Sequence, residues 1–255
     1  MHAGRAMDRA STKSDLAPLQ GRAIALLVDG DNAEPLKFAQ ILAEAAKHGR
    51  LTVRRIYGDW TTPQMSRWKQ YLHDSAVQPL QQFRYTTGKN STDSALIIDA
   101  MDLLHSRTVD GFCIASSDSD FTRLATRVRE EGLFVMGIGR ETTPPAFVNA
   151  CEVFVYTENL DAVKDGKASK GDGWTELVKI GIAATSRDDG CADLANIGNH
   201  VRKLDSAFDS RSFGFSKLSD LIGSRPDLFE LGTTTSGDNP PVHYAKLVTN
   251  AQGGA

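Results

Sequence analysis

Short apolar runs recur along the first 160 residues, and the stretches between them carry apolar side chains at helical spacing. Apolar runs bounded by polar residues or glycine are typical of buried parallel strands, and helical patterns between them predict βαβ units. We therefore predict an α/β domain with a mainly parallel sheet and helices on both faces. The predicted strands are 23–28, 51–57, 77–83, 112–115, 133–138 and 153–156.

Two helices are well marked in this first part. Residues 34–48 follow helical spacing, and Gly49 stands just past their end, where glycine commonly stops a helix. A second helix begins after Ser91 or Thr92, either of which can cap it. This start places Asp93 in the first helical turn, where a carboxylate suits the helix dipole.

The pattern changes after residue 160. Residues 161–172 are polar and rich in glycine, so we predict a flexible linker there. Residues 173–249 contain three short helical patterns followed by two weak strands, which predicts a small α+β domain. Residues 1–21 lack the apolar core of a signal peptide, and we expect a disordered leader.

Overall composition favours no particular partner. Lys and Arg number 29 against 32 Asp and Glu, so net charge creates no general attraction to nucleic acid or membranes. No apolar run approaches the roughly 20 residues that a membrane helix needs. Three widely spaced cysteines predict neither a disulfide framework nor a zinc cluster. These features favour a cytoplasmic location.

One region departs from this balance. Residues 50–89 hold seven Lys or Arg against two Asp, and tyrosine, tryptophan and phenylalanine lie between them. Cations interleaved with aromatic rings are typical of a surface that binds polyanions. The alternative is that the aromatic rings belong to the core and the cations are solvated. The candidate polyanion-binding residues are Arg54, Arg55, Arg67 and Lys89.

Aspartates cluster where predicted strands end and a predicted helix begins. In open parallel sheets, sites form beyond the carboxyl ends of the strands. If strands one and four are neighbours, Asp29, Asp93 and Asp118 converge. Clustered carboxylates repel one another unless a cation neutralises them, and oxygen ligands suit Mg²⁺ or Mn²⁺. Each aspartate alone is equally explained as a turn or cap residue. The six are Asp29, Asp31, Asp93, Asp99, Asp118 and Asp120.

Such a metal site suits phosphoryl chemistry. In that setting Asn32 would orient a ligand or a phosphate oxygen, and Ser116 would hydrogen-bond the scissile phosphate or a water. Lys89 would offset the substrate's charge. Ordinary turn and surface roles explain these three residues as well. The pair Asp29 and Asp31 also resembles that of haloacid-dehalogenase-like phosphatases, but the cap domain of that family is not evident.

Three motifs together resemble the NYN domain, the LabA-like branch of the PIN-like nucleases, over roughly residues 22–160. They are Val28-Asp29-Gly30-Asp31-Asn32, Lys89-x-x-x-Asp93 with Asp99 following, and Ser116-Ser117-Asp118-Ser119-Asp120-Phe121. The resemblance implies adjacent first and fourth strands, cleavage of RNA, and Mg²⁺ or Mn²⁺ held by Asp29, Asp93 and Asp118 with Asp120 close by. Ser117 replaces the glycine usual in this family. If that position needs a positive φ, the serine is strained by about 1 kcal/mol.

Residues 208–222, with Pro226, Phe229 and Leu231, resemble the LOTUS or OST-HTH domain, a winged helix-turn-helix. The resemblance implies binding of RNA, including G-rich structured RNA, or of a protein partner. Lys217 is the candidate phosphate contact. We therefore predict a Mg²⁺- or Mn²⁺-dependent ribonuclease that acts on single-stranded RNA and carries a LOTUS module. The alternative is an RNA-binding or scaffolding protein that retains the acidic site without cleaving.

Overall fold

The computed structural model describes residues 21–83, 91–161, 171–234 and 241–248. Its first part forms one six-stranded sheet in the order β3-β2-β1-β4-β5-β6, and every neighbouring pair is parallel. The first and fourth strands are therefore adjacent, and the predicted α/β fold is confirmed. The strands are β1 (Ala23–Asp29), β2 (Arg50–Gly58), β3 (Gln78–Gln81), β4 (Gly111–Ala115), β5 (Phe134–Gly139) and β6 (Val153–Tyr156).

Helices cover both faces of this sheet. Alternate strand residues point to opposite faces, so Leu27 and Ile114 enter one hydrophobic core while Leu26 and Cys113 enter the other. Strands β1 and β4 are buried on both sides, which explains their continuous apolar runs. The helices are α1 (Phe38–Ala46), α2 (Pro63–Ser66), α3 (Lys69–Ser75), α4 (Ser91–Ser106), α5 (Thr122–Glu130) and α6 (Pro145–Ala150).

The predicted helix over 34–48 is shorter than expected. A single turn of 3-10 helix, Pro35–Lys37, precedes α1, and no side chain caps α1 at its start. Helices α2 and α3, which the apolar pattern did not predict, lie inside the basic stretch. Within the described ranges, every helix is too short or too polar to span a lipid bilayer.

The second part of the chain has its own core around Trp174, Val178 and Phe229. Its three strands are antiparallel in the order β7-β9-β8, and the two-residue β7 was not predicted. This arrangement agrees with a small α+β domain. Its elements are α7 (Trp174–Thr185), β7 (Ala192–Asp193), α8 (Leu194–Leu204), α9 (Leu218–Gly223), β8 (Phe229–Thr234) and β9 (Val242–Leu247).

A charged contact joins the two parts. The Arg211 guanidinium donates to both oxygens of Glu44 on α1, at 3.0 and 3.2 Å, and also to Asp209. The Glu44 side chain is only 8% exposed. Burial raises the pKa of Glu44, but hydrogen bonds from Arg211 and Lys47 outweigh burial and hold the pKa below its usual value. Arg211 and Lys47 together therefore keep this buried carboxylate charged.

Hydrogen bonds to the edge strand add to this contact. The backbone N–H of Phe154 in β6 donates to the carbonyl of Ser206 at 2.8 Å, and Ser206 Oγ donates to the carbonyl of Val148 at 2.9 Å. Asn159 Nδ2 donates to Ser212 Oγ at 2.8 Å. Unpaired edge groups thus find partners in the second domain. Most of the predicted linker, residues 162–170, lies outside the described residues.

Candidate functional site

Strands β1 and β4 bring their carboxyl ends together at one edge of the sheet. Val28 pairs with Ala115, so Asp29 and Ser116 follow side by side. Ser116 Oγ donates to Asp29 Oδ2 at 2.8 Å and accepts from the backbone N–H of Asp118 at 3.0 Å. Ser116 therefore links the end of β1 to the acidic loop after β4.

Asp29 is fully buried at this edge. Its Oδ1 accepts from the backbone N–H of Asp31 at 3.1 Å, and its Oδ2 accepts from Asn32 Nδ2 at 2.7 Å as well as from Ser116. Burial raises the pKa of Asp29, while these hydrogen bonds oppose part of the increase. Both carboxylate oxygens of Asp29 thus have protein donors.

Three other aspartates converge above Asp29. One carboxylate oxygen from each of Asp93, Asp118 and Asp120 lies within 4.8 Å of the others. Asp93 is in the first turn of α4, as predicted. Asp118 caps the following 3-10 turn and accepts from the backbone N–H of Asp120 at 2.9 Å. Thr92 Oγ1 donates to Asp31 Oδ2 at 3.1 Å, which ties the start of α4 to the loop after β1.

The aspartates of this cluster act on one another through their charges. The pKa of Asp93 is raised to about 7, first by burial and then by the charges of Asp29, Asp118, Asp120 and Asp31. A divalent cation would remove this repulsion. The ligand set contains only carboxylate oxygens, which suit Mg²⁺ or Mn²⁺. The residues present therefore fit such an ion.

The predicted basic surface is not assembled as one face. Neighbouring strand residues point to opposite sides. Arg54 Nη1 donates to the carbonyl of Ser75 at 3.0 Å, while Arg55 Nη1 donates to Asp99 at 3.0 Å. Tyr57 also donates to Asp99, at 2.9 Å, so Asp99 stands apart from the acidic cluster. Arg55 is therefore paired with a carboxylate, whereas Arg54 has only a backbone acceptor, and its contact with RNA stays a prediction.

The remaining cationic candidates are not brought together. Arg67 and Lys217 are exposed, the first at the end of α2 and the second just before α9. Their contact with RNA stays a prediction. Lys89 lies outside the described residues, so its position relative to the acids is not described.

Ser117 is not strained. Among the described residues other than glycine, only Ala76 and Arg107 have positive φ, so the expected cost of about 1 kcal/mol does not arise. The Ser117 Oγ accepts from the backbone N–H of Arg140 at 2.9 Å. This bond joins the loop after β4 to the loop after β5, a role that glycine cannot perform.

Helices α2 and α3 support the loop after β1, and this support was not anticipated. Gln64 Nε2 donates to the carbonyl of Asp31 at 3.0 Å, and Trp68 Nε1 donates to the carbonyl of Gly30 at 3.1 Å. A Cβ on Gly30 would lie 2.6 Å from Met65 Cε and 2.8 Å from the carbonyl oxygen of Tyr57. The sequence signal was Gly30 itself, placed between two aspartates.

Comparison with known families agrees with this geometry. The NYN domain matches residues 23–160, more than half of the chain, and the OST-HTH/LOTUS domain matches residues 169–240. The chain belongs to the NYN domain family, and an OST-HTH/LOTUS domain follows the NYN domain. This pairing supports an RNA-related nuclease with an RNA-binding module.

Several solved structures are similar to parts of the chain. A protein of unknown function from Vibrio parahaemolyticus is 18% identical over 55% of this chain and 96% of its own, with a TM-score of 0.46. An uncharacterized protein from Nitrosomonas europaea is 32% identical over 34% of this chain and 82% of its own, with a TM-score of 0.30. These similarities lead to no functional conclusion. None of the curated proteins compared with the chain matches it.

Proposed function

We propose that this protein is a ribonuclease that depends on Mg²⁺ or Mn²⁺. The observation that carries the proposal is the convergence of Asp93, Asp118 and Asp120 within 4.8 Å, in a chain of the NYN family. These three would hold the cation. Asp29, predicted from the sequence as a ligand, accepts three hydrogen bonds from the protein and lies outside the group of oxygens within 4.8 Å, so we assign it to the support of the cluster.

A bound divalent cation would stabilise charge on the scissile phosphate and lower the pKa of a nearby water. The protein's own residues position the acids. Ser116 holds the backbone of Asp118, and Thr92 holds the start of the helix that presents Asp93. Asn32 donates its amide to Asp29, which favours a positioning role over contact with the phosphate.

RNA is the substrate in this proposal because both domains of the chain belong to RNA-related families. The LOTUS domain would supply affinity for RNA, including G-rich structured RNA, or for a protein partner, with Lys217 as one phosphate contact. Arg67 would contact RNA beside the NYN site, where α2 approaches the loop after β1. A cytoplasmic location remains part of the proposal.

The test is cleavage of labelled RNA by the full chain with Mg²⁺, with Mn²⁺ and with EDTA. Asp118→Asn keeps the shape of the side chain and removes its charge. We expect cleavage to fall by about 100- to 1,000-fold, the scale of metal and electrostatic stabilisation, while RNA affinity is retained. Asp102→Asn, an exposed aspartate on α4, is the matched control and should cleave normally.

Near-normal cleavage by Asp118→Asn, or cleavage that survives EDTA, would contradict the proposal. Calorimetry with Mn²⁺ distinguishes a protein that binds the metal without cleaving RNA from a protein whose acids bind no metal. If wild-type protein binds Mn²⁺ and RNA but releases no product, the chain is a non-cleaving RNA-binding or scaffolding protein. In that case Asp118→Asn should abolish Mn²⁺ binding, and neither protein should cleave RNA.

A further inference from the structure

A basic groove of about 690 Å³ lies between the two domains. Arg129 and Asn149 line it from the NYN side, and the polar face of α8 lines it from the other side. The residues of α8 that line the groove are the polar Asn199, Arg202 and Lys203 and the apolar Leu204. This groove is a different place from the acidic cluster, and the proposed cleavage chemistry uses none of its residues.

The groove lies at the end of the sheet where the parallel strands begin, whereas the acids lie at the end where the strands stop. Asp118 follows the carboxyl end of β4, whereas Arg129 is in the last turn of α5, after the chain has returned along the sheet. Glu152, also in the groove, immediately precedes the start of β6. Strand β4 has five residues, and at about 3.3 Å per residue its length of about 17 Å lies between the two ends of the sheet.

The cations of this groove form no close ion pairs among the described residues, although the charge of Arg129 acts on Glu152 and that of Asp209 acts on Arg202. Arg129 Nη1 donates to the carbonyl of Asn149 at 3.2 Å, and Arg202 Nη2 donates to Asn199 Oδ1 at 2.9 Å. In the described part of the chain, neither arginine nor Lys203 forms an ion pair. Glu152 is the one acid among the lining residues. Three unpaired cations against one carboxylate leave the groove positive.

The walls of the groove are held in place by the domain contact. Arg211 binds the buried Glu44, and Ser206, which itself lines the groove, binds Phe154 of the edge strand. These bonds hold α8 opposite α5 and α6. A ligand therefore meets a preformed surface, which lowers the ordering cost of binding.

We propose that this groove binds the phosphodiester backbone of single-stranded RNA. Guanidinium, ammonium and asparagine amide groups are the usual donors to phosphate oxygens, and they carry no base preference. Both walls belong to domains of RNA-related families, which favours RNA over an acidic protein segment. The proposal rests on the proposed function only in taking RNA as the ligand.

One consequence concerns RNA length. A strand held in the groove has a higher effective concentration at the acidic cluster, without new contacts there. Only RNA long enough to span the two sites gains this advantage. The groove should therefore lower KM for long RNA and leave kcat unchanged.

The experiment measures binding of a labelled oligouridine of about 30 nucleotides, long enough to span both sites, over a series of salt concentrations. The protein is the full chain with Asp118→Asn, so that no cleavage is needed for the readout. The test variants are Arg202→Gln/Lys203→Gln on one wall and, separately, Arg129→Gln on the other. The control is Arg107→Gln/Lys179→Gln, which removes the same charge elsewhere on the surface.

We expect the Arg202→Gln/Lys203→Gln variant to bind the oligouridine about tenfold more weakly, and the slope of log affinity against log salt to fall by about 1.4, or about 0.7 per lost phosphate contact. The Arg129→Gln variant should show about half of this decrease in the salt slope, although α8 is unchanged in that variant. The control should bind as the parent does. If both groove variants match the control, or if polyglutamate of equal length and charge binds as tightly as the RNA, the proposal is overturned.

Cleavage kinetics distinguish this proposal from the proposed function. In protein that retains Asp118, the groove substitutions should raise KM for the long RNA and leave kcat unchanged. If the protein does not cleave RNA, but the groove variants lose binding as predicted, the ribonuclease proposal is refuted and the proposal that the groove binds RNA is retained. A fall in kcat together with unchanged salt dependence would refute the groove and keep the nuclease.

Discussion

Repulsion within the acidic cluster should lower the stability of the metal-free protein. The pKa of Asp93 is raised from its ordinary value of 3.8 to about 7 by burial and by the neighbouring carboxylates. At about 1.36 kcal/mol per pKa unit, this difference corresponds to about 4 kcal/mol by which folding disfavours the charged form of Asp93. Water at the open side of the cluster screens part of it, which leaves about 1–2 kcal/mol. Asp93→Asn should therefore stabilise the metal-free protein at neutral or higher pH.

The sign follows from proton counting. Between about pH 4 and pH 7, the folded protein keeps a proton on Asp93 that the unfolded chain has released, so the free energy of unfolding falls as pH rises through this window. The loss is complete above the folded pKa. An asparagine has no such proton, so the variant lacks this decline. Below about pH 4 both proteins are neutral at this position and should be equally stable.

Urea unfolding in EDTA at about pH 4.5 and about pH 8 measures the difference, with the exposed Asp102→Asn as control. Asp93→Asn should gain about 1–2 kcal/mol over wild type at the higher pH and much less at the lower. Added Mn²⁺ should then stabilise wild type more than the variant, since binding to the folded state stabilises it. An Asp93→Asn protein that is less stable than wild type at about pH 8 in EDTA would refute the reasoning.

Three further changes test the supporting contacts. Arg211→Gln should destabilise the full chain by about 2 kcal/mol in urea unfolding, because it removes both Arg211 hydrogen bonds to the buried Glu44 and leaves it only the exposed Lys47; unchanged stability would contradict this role. Gly30→Ala should cost about 1–3 kcal/mol through overlap with the neighbouring backbone, whereas Gly171→Ala, in open space, should be neutral in the same assay. Ser116→Ala should reduce kcat about tenfold and leave RNA affinity unchanged, since it removes the bonds that position the acidic loop; an unchanged kcat would argue against positioning.

The strands of the sheet could be predicted because burial on both faces favours a continuous apolar run in the sequence. A strand covered on both faces is typically a continuous apolar run, as β4 is and as β1 is up to Val28. The end of such a run is equally visible, so Asp29 and the acids after β4 could be placed at one edge before the structure was known. Asp93 could be placed in its helical turn because the polar residues before it signal a helix start, but the predicted cap is wrong: Ser91 and Thr92 both lie inside α4, and Thr92 Oγ1 donates to Asp31.

Side-chain partners could not be predicted in this way. Arg55 and Asp99 are 44 residues apart, and Glu44 and Arg211 are 167 apart, so no local pattern connects either pair. Arg55 counted as a cation available for RNA only because its carboxylate partner was invisible in the sequence. The same holds for the domain contact, since a polar linker says nothing about the surfaces it connects.

The two kinds of aspartate at the site differ in how their charge is compensated, and this difference separates their roles. Asp29 is fully buried, but donors from Asp31, Asn32 and Ser116 satisfy its oxygens, so the protein alone accommodates it. Asp93 has the larger electrostatic problem, because the neighbouring groups that most affect its pKa are other acids. A cation bound at these acids would relieve this repulsion. We therefore propose the cluster around Asp93 as the cation site, and Asp29 as a residue that supports it.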